Sequence, residues 1–424
     1  VATYRERVLD GVLDDLGDEL SAIEIYGAKG VGKTATALRR ARSAVRLDLA
    51  GERALLDGDP DRIRRLDGPV LIDEWQRMPE VWDLVRRAVD DGAGSYYLTG
   101  SSVPAEAPTH TGAGRMVSFR MRPLSLAERG IENPTVSLST LVGAPTSSTP
   151  ITGETEATVV DYAHEIASSG FPGIRELSPR ARTARLAGYV HAIVQRSFPE
   201  QGLLVRKPQV LQAWMTAYAA STSSTTTYSR ILDAATPGES TKPARSTVQA
   251  YRDTLADLWM LDPVPAWRPS RNHLARLTKT PKHQLADPGL AAHLLGMDED
   301  ALLAGRDTRS EQLREGTLLG ALFENLVAQS VQVYAEAAGA HVGHLRTERG
   351  DHEVDLLVER RDGRLVGIEV KLSTSPTDRD VRHLHWLRSE RPDDVADLVV
   401  ITTGRHAYRR SDGVAVVPAA LLGP

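Results

Sequence analysis

Ile23-Glu24-Ile25-Tyr26-Gly27-Ala28-Lys29-Gly30-Val31-Gly32-Lys33-Thr34 reads as a short apolar strand running into GAKGVGKT, with a helix-forming run, Ala35 to Ala44, behind it. This is the Walker A pattern GxxxxGK[ST] in the strand–loop–helix setting it requires. A loop that wraps a phosphate must turn its N–H groups inward, in dihedrals that a Cβ would hinder, hence the glycines. The following helix points its positive end at the same anion. Lys33 is the expected point charge for the β- and γ-phosphates, and Thr34 the expected oxygen for Mg²⁺.

Gly68-Pro69-Val70-Leu71-Ile72-Asp73-Glu74-Trp75 follows as an apolar strand ending in two carboxylates, the Walker B layout. Asp73 is expected to hold Mg²⁺ together with Thr34, and Glu74 to polarise the attacking water. Either motif alone has a bland alternative, a Gly-rich turn or a solvated Asp-Glu loop. Their succession in this order outweighs it and points to an ATP site.

Working outward, residues 1 to 20 read as an amphipathic helix through Val8, Leu9, Val12 and Leu13. Val45 to Leu49 reads as a second strand, Val81 to Val89 as a helix, and Ser95 to Ser102 as a strand ending in hydroxyls. Strands alternating with helices imply a parallel sheet with ligands at its carboxyl edge. Thr99 and Ser101 are therefore candidates for sensing the γ-phosphate, against the alternative of a plain hydroxyl turn. Gly112-Ala113-Gly114-Arg115 leads into a fifth strand, and Arg115 is either a charge-stabilising finger, in its own subunit or a neighbour's, or a surface ion pair.

Bulk composition narrows the class. The 424 residues are 41% hydrophobic and 25% charged, the balance of a soluble globular protein of two or three domains. A formal charge of -5, with 51 Lys plus Arg among 56 Asp plus Glu, speaks against a chain coated in nucleic acid but leaves room for a local basic face. Cysteine is absent, which removes disulfides, thiolate zinc sites and cysteine nucleophiles. No apolar run approaches the ~20 residues that span a bilayer, and the first residues have no signal-peptide core. A cytoplasmic, prokaryotic protein without membrane contact is expected.

Residues 131 to 157, rich in Ser, Thr, Pro and Gly, read as a loop or linker. Helical patterning then runs to about 200, interrupted by Ser169-Gly170-Phe171-Pro172-Gly173, and resumes in Val210 to Ala220, Tyr228 to Ala235 and Ala244 to Leu261. The last of these has the look of the second helix of a helix-turn-helix, with Pro263 to Trp267 as a wing and Arg245, Gln249 and Arg252 towards a groove. A lid or packing module fits the same pattern.

A second cluster lies near the end of the chain. Leu318 to Val327 is an apolar-faced helix bearing Glu324, and Glu353-Val354-Asp355-Leu356-Leu357-Val358 is a strand. Asp362-Gly363 signals a type I′ hairpin turn, and Leu365 to Leu372 returns with Glu369 and Lys371 on one face. Asp355 and Glu324 can join them, a set of carboxylates plus a lysine suited to a divalent metal and phosphodiester hydrolysis.

With GAKGVGKT, VLIDEW, YLTGSS, GAGR before RPLS, GFP at 170 to 172, KTPKHQLADPGL at 279 to 290, LLGALFENLV and the EVD…EVK pair in view, the chain resembles bacterial and archaeal ATPases that join an AAA-type P-loop domain to a winged helix and a C-terminal restriction-endonuclease-like domain. The resemblance implies an α/β fold with five parts: a P-loop NTPase parallel sheet (1–130), a flexible loop or linker (131–157), a helical lid (158–205), a winged-helix-like domain (206–300) and a PD-(D/E)XK nuclease-like domain (301–424). It implies binding of ATP and Mg²⁺ by Gly27, Ala28, Lys29, Gly30, Val31, Gly32, Lys33 and Thr34 with Asp73 and Glu74, and it places Pro172 near the nucleotide. It assigns Asp355, Glu369 and Lys371 to nuclease catalysis, with Glu324, Asp355 and Glu369 as metal ligands. The Pro-Asp dipeptide of that pattern is missing here, since Glu353-Val354 precedes Asp355.

The resulting expectation is an ATP-hydrolysing switch that controls a DNA-interacting C-terminal domain. Its alternatives are an ATP-locked scaffold or regulatory binding protein with an inactive nuclease-like domain, and a ring motor. A second copy of the chain or another protein is a further expected partner.

Overall fold

A computed structural model of the chain describes residues 4–104, 112–143, 150–236, 243–267, 280–305 and 317–424. Residues 1–3 of the expected first helix, 144–149 of the expected linker, Lys279 of KTPKHQLADPGL, and 306–316 of the expected C-terminal domain lie outside the described residues. The chain divides into two compact units. The first comprises Val1–Pro123, Val190–Arg206 and Ala244–Met260, and the second Leu124–Tyr189, Lys207–Pro243 and Leu261–Pro424.

In the first unit the strands are β1 (Ala22–Tyr26), β2 (Ser43–Arg46), β3 (Val70–Asp73), β4 (Tyr96–Gly100) and β5 (Val117–Arg120). They form one parallel sheet in the order β2-β3-β4-β1-β5. All four residues of Val70–Asp73 are buried, as expected where a parallel strand is covered on both faces. Trp75 and Trp82, with ring centres 4.7 Å apart, join Val45, Ile72, Val85 and Leu98 in the core on one side. The parallel arrangement brings the carboxyl ends of β1, β3 and β4 to one edge, with Asp73 level with Thr99 and Tyr26 level with Gly100. β2 begins and ends earlier than the expected Val45–Leu49, because it is in register with Val70–Asp73 and ends with that strand.

The second unit is built on a seven-stranded mixed sheet and a pair of short strands. Its strands are β6 (Val136–Ser137), β7 (Gly153–Glu154), β8 (Ala340–Arg346), β9 (Glu353–Arg360), β10 (Leu365–Val370), β11 (Val395–Thr402), β12 (His406–Arg409), β13 (Ala415–Pro418) and β14 (Leu422–Gly423). The large sheet runs β7-β12-β13-β11-β10-β9-β8, while β6 pairs with β14. Helix Leu318–Ala337 packs on β8, and helix Asp378–Glu390 covers β10 and β11, where Val381, Leu384 and Leu387 join the core with Leu357, Leu398 and Val400.

Four expectations change. Residues 131–157 are not simply a linker: β6, helix Leu138–Gly143 and β7 lie within them, and these strands pair with β14 and β12 respectively. Two-residue strands carry no periodicity, so composition alone reads as loop. Residues 206–300 are not one unit, because helix Arg245–Asp257 belongs to the first unit whereas helices Pro208–Ala220 and Tyr228–Ala235 belong to the second. The expected lid, 158–205, is likewise divided at 189/190. Finally, the expected wing is an extended segment: Leu261 pairs with Leu285, Val264 with Lys282, and Ala266 with His344 of β8.

The hairpin between β9 and β10 also departs from type I′. Among Arg361, Asp362 and Gly363 only Gly363 takes a positive φ, 89°. Gly363 N–H donates to Arg360 O and Arg360 N–H to Arg364 O, both at 2.9 Å. That is the three-residue loop with a glycine in the left-handed position.

Candidate functional site

The phosphate loop connects β1 to helix Lys33–Leu38. Gly27 shows why side chains are excluded: at φ 149° a Cβ there would lie 2.1 Å from Met121 O. The buried Lys33 ammonium donates to Gly27 O at 2.8 Å and Ala28 O at 3.0 Å, so the lysine lies along its own loop. Arg7, unremarked in the sequence, supports the loop from behind by donating to Val31 O at 2.8 Å and to Arg122 O at 2.7 Å. No local pattern marks an arginine for such a task.

Thr34 Oγ1 donates to Asp73 Oδ1 at 2.7 Å, and Thr99 Oγ1 donates to the same oxygen at 2.5 Å. The Walker A hydroxyl, the Walker B aspartate and the β4 hydroxyl are therefore one connected group. An oxygen-only set of this kind suits Mg²⁺, which is bound by one or two protein oxygens beside phosphate and water. Glu74 sits at the end of β3 with φ 57°, a left-handed conformation rare for a non-glycine residue. Its Oε2 accepts from Ser101 Oγ at 2.7 Å and from Gln76 Nε2 at 2.5 Å, and Gln76 Nε2 also reaches Ser101 Oγ at 3.1 Å. A cavity beside these groups is lined by Lys29, Gln76 and Ser101, and by Ile193 and Ser197 of a π-helical turn. π-turns of this kind recur at functional positions.

Arg115 pairs with Asp90 at 2.8 Å on the surface, the second of its two expected roles. Pro172 occupies the first turn of helix Pro172–Arg175 in the second unit. On helix Arg245–Asp257, Arg245 and Gln249 are exposed, whereas Arg252 is half-buried and bonded to Asp253 at 2.7 Å.

Burial pushes the Lys33 ammonium down to about 8, with the Glu74 and Asp73 carboxylates opposing that shift. A phosphate placed on this lysine restores its charge, so ATP binding should take up a proton wherever the free lysine is neutral. Affinity should then hold steady below pH 8 and fall roughly tenfold per pH unit above it. Calorimetric titration from pH 7 to 10, in buffers of different ionisation enthalpy, checks both the slope and the proton. A flat profile would separate Lys33 from the ligand.

In the second unit, Glu369 and Lys371 share a face as alternation requires, with Lys371 Nζ 2.6 Å from Glu369 Oε1. The other Glu369 oxygen is buried without a partner. Burial, reinforced by the Asp355 charge, pushes the Glu369 carboxyl up. Asp355 Oδ2 accepts the Val370 N–H at 2.9 Å, which ties the two strands' acids together. Reading the sequence missed what lies among them. Lys282, with 1% of its side chain exposed, sets Nζ 2.7 Å from Asp355 Oδ1, 2.9 Å from Glu324 Oε1 and 3.3 Å from Glu353 Oε1. Burial would lower this ammonium, but the charges of Asp355, Glu324 and Glu353 overcome it and hold it well above the ordinary lysine value. Burial also raises Asp355, but the Lys282 and Lys371 charges together with the hydrogen bonds from Lys282 and the Val370 N–H outweigh it and hold the carboxyl below its ordinary value. Among the described residues no group of three or more His, Asp or Glu side chains is arranged to hold a metal ion. The expected ligand set Glu324, Asp355 and Glu369 thus does not fit a divalent cation as arranged, because Lys282 already lies against two of its three members.

Comparison with known proteins follows the same division. Residues 20–129 match the AAA domain family. Residues 160–301 and 319–422 match two domains of unknown function, DUF8612 and DUF4143. The uncharacterized protein Rv2008c of Mycobacterium tuberculosis is 26% identical over 360 residues, covering 84% of this chain and 69% of that protein. The uncharacterized protein Mb2031c of Mycobacterium bovis matches to the same extent. Among solved structures, the Walker-type ATPase paby2304 of Pyrococcus abyssi aligns with 69% of this chain and 96% of its own, at 16% identity and a TM-score of 0.41. The ORC2 protein of Aeropyrum pernix aligns with 70% and 92%, at 15% identity and a TM-score of 0.29. No described helix is long and apolar enough to cross a membrane. Residues 20–129, with a phosphate loop and paired Walker acids at one sheet edge, are an AAA-type P-loop domain, a fold that implies nucleotide binding.

Proposed function

We propose that this chain is a Mg²⁺-dependent ATP hydrolase that works as a switch, its nucleotide state setting what the second unit binds. The connected Thr34–Asp73–Thr99 group carries the reading, because it gathers two hydroxyls and a carboxylate beside the phosphate loop, an oxygen set suited to Mg²⁺ and phosphate. Thr34 and Asp73 would hold the ion, which when bound neutralises charge between the phosphates. The loop N–H groups and Lys33 orient the γ-phosphate, and Lys29 and the hydroxyls of Thr99 and Ser101 border it. Glu74, aimed by Ser101 and Gln76, takes a proton from the attacking water.

Glu74→Gln tests this directly. Turnover should fall by about 10²–10⁴-fold, the usual share of a general base, while ATP affinity stays within about threefold of the parent's. Turnover at the parent rate would remove Glu74 from the chemistry.

For the second unit, DNA is the partner suggested by the nuclease-like succession of Glu324, Asp355, Glu369 and Lys371. The packing of Lys282 among those acids favours the scaffold form of the reading, in which the unit binds without cutting. Binding to a DNA duplex that weakens steeply with salt supports DNA as partner. Absent or salt-insensitive binding points to a protein.

A further inference from the structure

We infer that Lys282 is a built-in cation that occupies the acidic cluster of the second unit in place of a divalent metal, so that this cluster is a structural joint and not a hydrolytic centre. The inference deepens the binding-without-cutting reading of the second unit and is independent of ATP hydrolysis.

Three observations converge on it. The first is the contact set: an ammonium has three N–H donors, and Lys282 meets three carboxylates, those of Asp355, Glu324 and Glu353, within 3.3 Å. A magnesium ion needs about six oxygens at roughly 2.1 Å, and an ammonium already at 2.7 and 2.9 Å from two of these acids occupies the space between them and would repel a second cation there. The second is engagement of both oxygens of the central acid. Asp355 gives one oxygen to Lys282 and the other to the Val370 N–H, so both are engaged within the protein. The third is that the lysine's backbone is pinned. Lys282 and Val264 exchange both backbone hydrogen bonds at 3.0 Å, and Thr280, two residues earlier, is held by the buried ring of His344 at 2.9 Å. A side chain on a pinned backbone, buried to its tip, is part of the core.

The joint links three pieces distant in sequence: the extended segment around Lys282, helix Leu318–Ala337 through Glu324, and β9 through Glu353 and Asp355. A lone charge left in that position would be far more costly than one whose desolvation is offset by hydrogen-bonded partners of opposite sign.

The test is Mn²⁺ binding, followed by electron paramagnetic resonance, to the nucleotide-free full chain carrying Asp73→Asn so that the first unit contributes no ion. This parent should bind no Mn²⁺ in a way that depends on Asp355. Adding Lys282→Met, which keeps length and removes charge, should create a saturable Mn²⁺ site that Asp355→Asn abolishes again. Lys282→Arg should create none. An Asp355-dependent Mn²⁺ site in the parent would overturn the inference, as would a folded Lys282→Met protein that binds no ion. If Lys282→Met does not fold, the parent and its Asp355→Asn variant decide alone: equal Mn²⁺ binding supports the inference and a difference defeats it. Each outcome is read without ATP, so a failure of the hydrolase reading would show separately in the Glu74→Gln comparison.

Discussion

Lys33→Ala is expected to lower ATP turnover by about 10²–10³-fold, the typical cost of removing one donor aimed at developing phosphate charge, with little change in melting temperature at neutral pH. The second half of that result is the more discriminating. A buried, hydrogen-bonded lysine would ordinarily be a stabilising residue, yet Lys33 is held with its charge desolvated and its titration lowered to about 8. Relative to the unfolded chain, keeping the ammonium protonated at neutral pH costs roughly 3 kcal/mol. Between pH 8 and the ordinary lysine range the unfolded chain binds the extra proton, so stability rises with pH through that window. The alanine variant loses the contacts to Gly27 O and Ala28 O but also loses that cost, and the two offset. Thermal unfolding of parent and variant from pH 7 to 10.5 should show the parent gaining on the variant as pH rises. ATP, by restoring the lysine's charge partner, should stabilise the parent strongly and the variant hardly at all. A variant that still hydrolyses ATP at the parent's rate would remove the loop from the chemistry altogether.

What could be read from the sequence follows from how local each feature is. The phosphate loop occupies eight consecutive residues, and its glycines, lysine and threonine have roles fixed by backbone geometry over that short span. Asp73 and Glu74 end an apolar run whose burial is dictated by a parallel sheet, so their place at the carboxyl edge was also legible. The E-x-K alternation correctly put Glu369 beside Lys371. Lys282 was not legible, since nothing in KTPKHQLADPGL distinguishes a lysine that faces solvent from one facing three acids. Only pairing with Val264, and the packing of a helix some forty residues on, closes that site. The same holds for β6 and β7, which exist because strands near the chain's end are there to pair with them. The helix-turn-helix reading fell on real helices, but helical periodicity says nothing of which core a helix joins. Tyr251 of helix Arg245–Asp257 packs edge-on against Phe198 within the first unit.

The motif Ala286-Asp287-Pro288-Gly289 leads to the second large effect: Asp287→Ala should destabilise the second unit by about 3–5 kcal/mol, the cost of breaking a buried charge network from one side. Each residue of the motif has a separate task. Asp287 caps helix Pro288–Leu294 by accepting the Leu290 N–H at 3.0 Å, and Pro288 begins the helix where no N–H is needed. Gly289 lets the helix approach the chain before it, since a Cβ there would lie 2.6 Å from Ile166 O and 2.7 Å from Ser169 Cα. Asp287 also accepts from Ser169 Oγ at 2.6 Å and from the Gly170 N–H at 2.8 Å, holding Ser169 at its left-handed φ of 65°. It lies 4.0 Å from the guanidinium of Arg129, which is itself fully buried and bonded to Glu165, while Glu165 is paired with Arg175. Two arginines therefore face two carboxylates, and removing Asp287 leaves one buried cation in excess along with two N–H groups stripped of their acceptor. Asp287→Asn keeps acceptor oxygen but not charge, so it should recover the cap and only part of the loss. For a unit of this size the alanine change corresponds to a drop in melting temperature on the order of 10 °C, with the asparagine variant between it and the parent. An alanine variant within about 1 kcal/mol of the parent would mean that the GFP turn is held by something other than this aspartate. Because Ser169 and Gly170 directly precede Phe171 and Pro172, a weakened anchor should also loosen any response of that turn to nucleotide. In the Asp287→Asn protein, ATP turnover should therefore persist while nucleotide-dependent changes in protease sensitivity around residues 169–175 fade.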